Sequence, residues 1–188
     1  MSTVTKVTLH EYDKLIAEGF FDAPEWQRAE LIYGEIQKMS PIGVWHEDTV
    51  DFLTEWSFQN VDLQKVRVRV QNSIGVPPLD SAPQPDLAWV VRRKYTKRPL
   101  GEQVLLVIEV ADSSLDKDCG VKAELYAAAG VKDYWVVSAA DECVIVFREP
   151  GRNGYASKQS YAIGSEVSPL AFPAISLPVQ RLFEGEDE

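Results

Sequence analysis

Two acids stand where strand residues should be apolar. Asp86 sits in "QPDLAWV", between a proline and an apolar run, and Glu109 follows five unbroken apolar residues in "VLLVIEV". Carboxylates in buried strands lose hydration and repel each other, so they must share a proton, pair with cations or hold a metal. Lys122 is the candidate third member. On a helix it shares a face with Leu125, Tyr126 and Ala129, an inward stripe that would aim its amine at Glu109. Asp, Glu and Lys converging at strand ends are suited to phosphodiester hydrolysis. The acids would hold a hard divalent cation, which activates water and neutralises transition-state charge. The lysine would orient or deprotonate that water, or stabilise the developing anion. A structural reading competes: Asp86 as a turn cap, with Glu109 and Lys122 as an ion pair.

Other reactive residues read as structural. His46 opens a helix and is expected to pack or cap there, and His10 has no partner pattern. Ser113 and Ser114 lack the GxSxG setting of a hydrolase nucleophile. Asp112, Asp116 and Asp118 lack the glycine and closing glutamate of a calcium loop. Cys119 reads as an inert small residue, Gln71 as the end of a basic strand, and Trp89 and Trp135 as core.

Charge is unevenly spread. The chain of 188 residues carries a net −10, which argues against broad attraction to nucleic acid. Between Lys65 and Arg98, however, eight basic residues face only Asp80 and Asp86, a local +6 against −16 elsewhere. Such a surface is either a polyanion site or a solvated loop. The candidate phosphate contacts are Arg92, Arg93, Lys94, Lys97 and Arg98 in the loop, with Arg67 and Arg69 on the preceding strand.

The elements that must position these groups follow from periodicity. "TLHEYDKLIAEG" predicts a helix capped by Thr8 with Glu11 three residues on. "AELIYGEIQKM" predicts two short strands around Tyr33-Gly34, and residues 45–59 a helix laid on a sheet. "KVRVRVQNSIGV" alternates as a half-exposed strand over 65–76. Residues 86–91 and 103–111 are apolar runs suited to strands buried on both faces, with the basic loop between them. Residues 118–130 predict a helix with Asp118 as N-cap and Gly130 at its end. "DYWVVSA" and "CVIVFRE" predict a hairpin, "GYASKQSYAIG" a further strand, and the acidic tail at about 184–188 a loose end. The expected architecture is α/β, a central mixed β-sheet flanked by helices, in a single domain over 1–188. No run is apolar enough for a membrane helix and no signal-peptide pattern opens the chain. Two cysteines, Cys119 and Cys143, make neither a metal motif nor a disulfide framework, so a reducing cytoplasm is expected.

The order of short motifs is more specific than any one of them. "PDL" at 85–87, "IEVADSS" at 108–114, D-x-G-x-K-x-x-x-Y from Asp118 to Tyr126, and "AGVKDYWVV" at 129–137 resemble the Uma-type restriction-endonuclease family, within the PD-(D/E)xK nuclease superfamily. "ELIYGEIQKMSP" (30–41), His46 and "ISLPVQRLF" (175–183) extend the resemblance over nearly the whole chain. It implies a restriction-endonuclease-like fold and a Mg2+-dependent site, with Mn2+ as a possible substitute. Asp86 and Glu109 would be metal ligands, Lys122 the catalytic lysine, and Glu30 a further glutamate lent to the site. One departure matters. The superfamily's lysine stands two residues after the second acid, where this chain has Ala111, and the resemblance implies that Lys122 replaces it from the next helix.

Two functions compete. One is a metal-dependent DNA endonuclease, a homodimer because symmetric cutting of two strands favours a two-fold assembly. The other is a catalytically silent nuclease fold that binds nucleic acid or a protein partner. RNA cleavage would use the same site.

Overall fold

The computed structural model describes residues 6–23 and 28–184. Its centre is a six-stranded sheet in the order β3-β4-β5-β6-β7-β8. The strands are β3 (Val66–Val70), β4 (Leu87–Val91), β5 (Val104–Ala111), β6 (Asp133–Ser138), β7 (Cys143–Gly151) and β8 (Gly154–Ala162). Only the β5–β6 pair is parallel, and the connection between them crosses through the helical segment that carries Lys122. A hairpin of β1 (Ala29–Ile32) and β2 (Glu35–Lys38) stands apart from this sheet, as does the small pair β9 (Glu166–Val167) and β10 (Leu177–Pro178).

Both faces of the central strands are covered, which is why they read as continuous apolar runs. One face packs Leu87, Trp89, Leu106, Ile108 and Trp135 against helix α2 (Val44–Asn60). The opposite face packs Ala88, Val90, Val107 and Ala111 against Ala123 and Tyr126. Side chains alternate along a strand, so Glu109 points to the same face as Val107 and Ala111. In α2, Ser57 Oγ donates to Leu53 O and accepts from Trp89 Nε1 at 2.8 Å, fixing helix to sheet.

Helix α1 (Leu9–Ala17) has the expected capping box between Thr8 and Glu11. Tyr33 and Gly34 both adopt positive φ, the backbone that a two-residue hairpin turn requires. The basic strand is shorter than its alternation predicts. It stops at Val70 because Gln71 turns at φ 48° and its N–H bonds Asp86 O.

The helix after β5 begins earlier than the spacing predicts. It comprises α3 (Leu115–Lys117), a π turn (Asp118–Lys122) and α4 (Ala123–Ala128), with Ser114 before its first residue. Asp118 is therefore not an N-cap. Its own N–H bonds Ser114 O inside the helix, and its side chain is buried. Gly130, at φ 80°, ends the helix as expected. The acidic tail from residue 185 lies outside the described residues.

Candidate active site

The register of β4 against β5 decides where the two strand acids meet. Leu87 lies opposite Ile108, so Asp86, just before β4, and Glu109, near the end of β5, share one end of the sheet. Val110 N–H donates to Asp86 Oδ2 at 2.9 Å and His46 Nε2 contacts the same oxygen at 3.1 Å. His46 comes from the first turn of α2, is buried, and leaves its Nδ1 without a partner.

Glu109 Oε1 receives two bonds from the helical segment, from Lys122 Nζ at 2.9 Å and Tyr126 OH at 2.7 Å. Lys122 is only 4 % exposed and also lies 3.5 Å from Asp118 Oδ1 and 3.8 Å from Glu30 Oε2. The π turn lets Asp118 and Lys122 share this space. Glu30, on β1, is held from two further directions. Lys117 Nζ bonds its Oε1 at 2.8 Å and Gln84 N–H its Oε2 at 3.2 Å. Ala111 gives the strand its small side at this point, and Lys122 supplies an amine beside Glu109 from the facing helix.

Four buried acids, Glu30, Asp86, Glu109 and Asp118, thus face Lys122 and the partly exposed Lys117. The imbalance shows in their titration. Burial pushes Glu109 up to about 8, with Asp118, Asp86 and Glu30 adding to the rise and Lys122 opposing it. Asp118 is raised by burial, against the pull of Lys122 and Ser114. Burial works to lower Lys122, but Glu109, Glu30 and Asp118 outweigh it and hold the amine protonated well above the ordinary lysine range.

These groups line one cleft of about 110 Å³, together with Arg28, Lys38 and Ser113. No protein donor reaches Oδ1 of Asp86 or Oε2 of Glu109 among the described residues. Among those residues, too, no three His, Cys, Asp or Glu side chains form a preassembled metal cage. The donor set nonetheless fits magnesium, which is commonly held by one or two carboxylates while keeping water and substrate oxygens in its shell.

The structure brings together Asp86, Glu109, Lys122 and Glu30, and adds Asp118, His46, Lys117 and Arg28. Asp118 was hidden by its resemblance to a cap and His46 by its place at a helix start. Lys117 lies five residues before Lys122, about 140° away on an ordinary α-helix, so periodicity could not flag it, and the π turn brings the two to one side. Arg28 carried no sequence signal. The seven basic residues named above are elsewhere. Arg92, Arg93, Lys94, Lys97 and Arg98 follow β4 at the end opposite Asp86, and neither they nor Arg67 and Arg69 line the cleft. The reason is directional: β4 runs away from Asp86, so the loop after it emerges a full strand length away.

A mixed sheet with an Asp and a Glu meeting at adjacent strand ends, and a lysine delivered beside them, has the layout of the restriction-endonuclease-like class. The Uma2 family profile, described as "Putative restriction endonuclease", matches residues 9–180, and the chain belongs to that family. A crystal structure titled a "putative nuclease belonging to DUF820", from Anabaena variabilis, superposes with a TM-score of 0.74. The two are 18 % identical, covering 94 % of this chain and 97 % of the other, a likeness of fold. No curated protein matches this chain. Family membership supports a nuclease. Among the described residues no helix is long and apolar enough to cross a membrane.

Proposed function

We propose that this chain is a metal-dependent endonuclease that hydrolyses DNA phosphodiester bonds. The observation that carries the reading is the pair of unengaged carboxylate oxygens, on Asp86 and Glu109, facing one cleft beside a buried, charged lysine. Asp86 and Glu109 would hold Mg2+, with Mn2+ as substitute. When bound, the ion supplies an activated water and positive charge for the transition state.

The chain's own residues do the rest. Val110 N–H and His46 hold Asp86 by one oxygen, which leaves the other directed at the ligand position. Tyr126 OH and Lys122 hold Glu109 likewise. The Lys122 ammonium stays protonated, so its role is to orient water and stabilise developing negative charge rather than to take a proton. Glu30 and Asp118 fix that ammonium. Lys117 and Arg28 are the cations placed to meet a substrate phosphate. A two-fold dimer would present two such clefts to the two strands of a duplex.

The test is nicking of supercoiled plasmid with Mg2+ or Mn2+ by wild type, Asp86→Asn and Glu109→Gln. Metal-dependent cutting by the wild type alone, stopped by chelator, is expected. A wild type that binds neither metal by calorimetry would make the fold a silent binding module and overturn the reading.

A further inference from the structure

The displaced basic residues are not scattered. Arg67 and Arg93 bracket Tyr95, with guanidinium carbons 5.9 and 5.0 Å from its ring centroid. Tyr95 OH is tied to Val91 O at 2.8 Å, so the ring cannot swing away. Arg69 and Arg98 share Ser73: Arg69 Nη2 donates to its carbonyl at 3.3 Å and Arg98 Nε to its Oγ at 2.8 Å. Arg67 and Arg69 lie opposite Val90 and Ala88, so they project from the sheet face that carries Glu109, at its β3 edge.

Four guanidiniums therefore gather in one cluster, Arg69 and Arg98 hydrogen-bonded to Ser73 and Arg67 and Arg93 resting against the Tyr95 ring. Among the described residues the acid that ion-pairs with them is Asp13, which takes Arg98. Arg69 Nε is buried and, among the described residues, has no hydrogen-bond partner. Crowding like charges costs free energy, and here burial, followed by Arg67 and Arg98, lowers the Arg69 pKa. Tyr95 opposes that shift. The cluster sits on a chain whose other residues are strongly acidic, so the charge is local and not a general property of the surface.

We propose that the Arg67–Arg69–Arg93–Arg98 cluster around Tyr95 is an exosite that grips a nucleic-acid phosphate backbone at a point away from the cleft. Guanidinium forks match phosphate oxygens, and the bonds of Arg69 and Arg98 to Ser73 lower the cost of ordering two of them. The inference rests on the endonuclease reading only for the class of polyanion. Along the sheet the cluster runs away from the cleft: Arg69, opposite Ala88, is two residues from Asp86, and Arg67, opposite Val90, is four, about 13 Å at ~3.3 Å per residue. A substrate must therefore extend about four base pairs, at ~3.4 Å each, to run from Asp86 to Arg67.

The test is fluorescence anisotropy in chelator, so that metal plays no part, with a duplex of about 20 base pairs. The proteins are wild type, Arg67→Gln/Arg93→Gln, Arg67→Lys/Arg93→Lys and Glu109→Gln. The glutamine pair is expected to weaken binding about tenfold and to reduce the log–log salt slope by about two. The lysine pair should keep most of the slope, and Glu109→Gln should bind at least as well as wild type. Binding by the glutamine pair equal to wild type at every salt concentration overturns the exosite. So does a wild type that binds no duplex. Metal-dependent nicking of plasmid by the Arg67→Gln/Arg93→Gln pair scores the endonuclease reading separately, because neither residue lines the cleft.

Discussion

Lys122 Nζ lies 2.9 Å from Glu109 Oε1, although the two residues are thirteen positions apart and on different elements. The contact replaces a shorter one. Superfamily resemblance puts the lysine at residue 111, on the same strand as the second acid, and here that position is a buried alanine packed against the helix. The amine thus arrives from the opposite wall of the cleft, with Asp118 and Glu30 around it.

Removing that amine should destabilise the protein in a pH-dependent way. Lys122→Ala leaves Glu109, Asp118 and Glu30 buried without their shared cation, a loss of about 3–5 kcal/mol near pH 8. Near pH 5 the loss should shrink, because Glu109 and Asp118, both with raised pKa, take up protons and no longer need it. Urea unfolding at the two pH values checks this.

Glu109 should work in the opposite sense. An acid whose folded pKa lies above its unfolded value costs stability as pH rises from the unfolded value, 4.5, to the folded one, about 8. Glu109→Gln removes that cost. The metal-free variant should exceed wild type by about 1–2 kcal/mol at pH 8 and converge with it near pH 4.5, in thermal melts.

The same raised pKa couples metal to protons. A carboxyl that titrates at about 8 is largely protonated at pH 7, and a ligand carboxylate must be ionised. Binding of Mg2+ or Mn2+ at pH 7 should release about one proton, seen by calorimetry in buffers of different ionisation enthalpy. Glu109→Gln should release none.

Asp86 distinguishes loss of charge from loss of an acceptor. Asp86→Asn keeps an oxygen for Val110 N–H, whereas Asp86→Ala strands that buried donor. The alanine variant should be less stable than the asparagine variant by about 1–3 kcal/mol, with both silent in cleavage.

Arg28 tests which cations serve the cleft. Arg28→Ala should lower kcat/KM for plasmid cutting about tenfold, about 1.4 kcal/mol of transition-state binding. Neutralising Lys94 and Lys97, which do not line the cleft, should leave kcat on a short duplex unchanged.

Much of this was legible in the sequence because buried strands announce themselves. "DLAWVV" and "VLLVIEV" are apolar apart from their acids, so Asp86 and Glu109 stood out, and the stripe at Lys122 showed which way it faced. Asp118 was missed because an acid before an apolar helical stretch looks like a cap. Only the three-dimensional path shows that the helix had already begun at Leu115. The basic loop lies away from the cleft for a different reason. Proximity in sequence to Asp86 is not proximity in space when a strand leads away from it. Arg28 had no periodic or motif context, and only closure of the β1–β2 hairpin brings it to the cleft.

The π turn at Asp118–Lys122 amounts to one residue more than a regular helix would hold. Deleting Gly120, whose Cα borders open space, would remove that residue, and Lys117 and Lys122, then four apart at about 100° per residue, would still share a face. Every acid and lysine would remain in the chain and would keep facing the cleft. The π turn is therefore a place where the chain absorbs a change of length without parting the groups on either side of it.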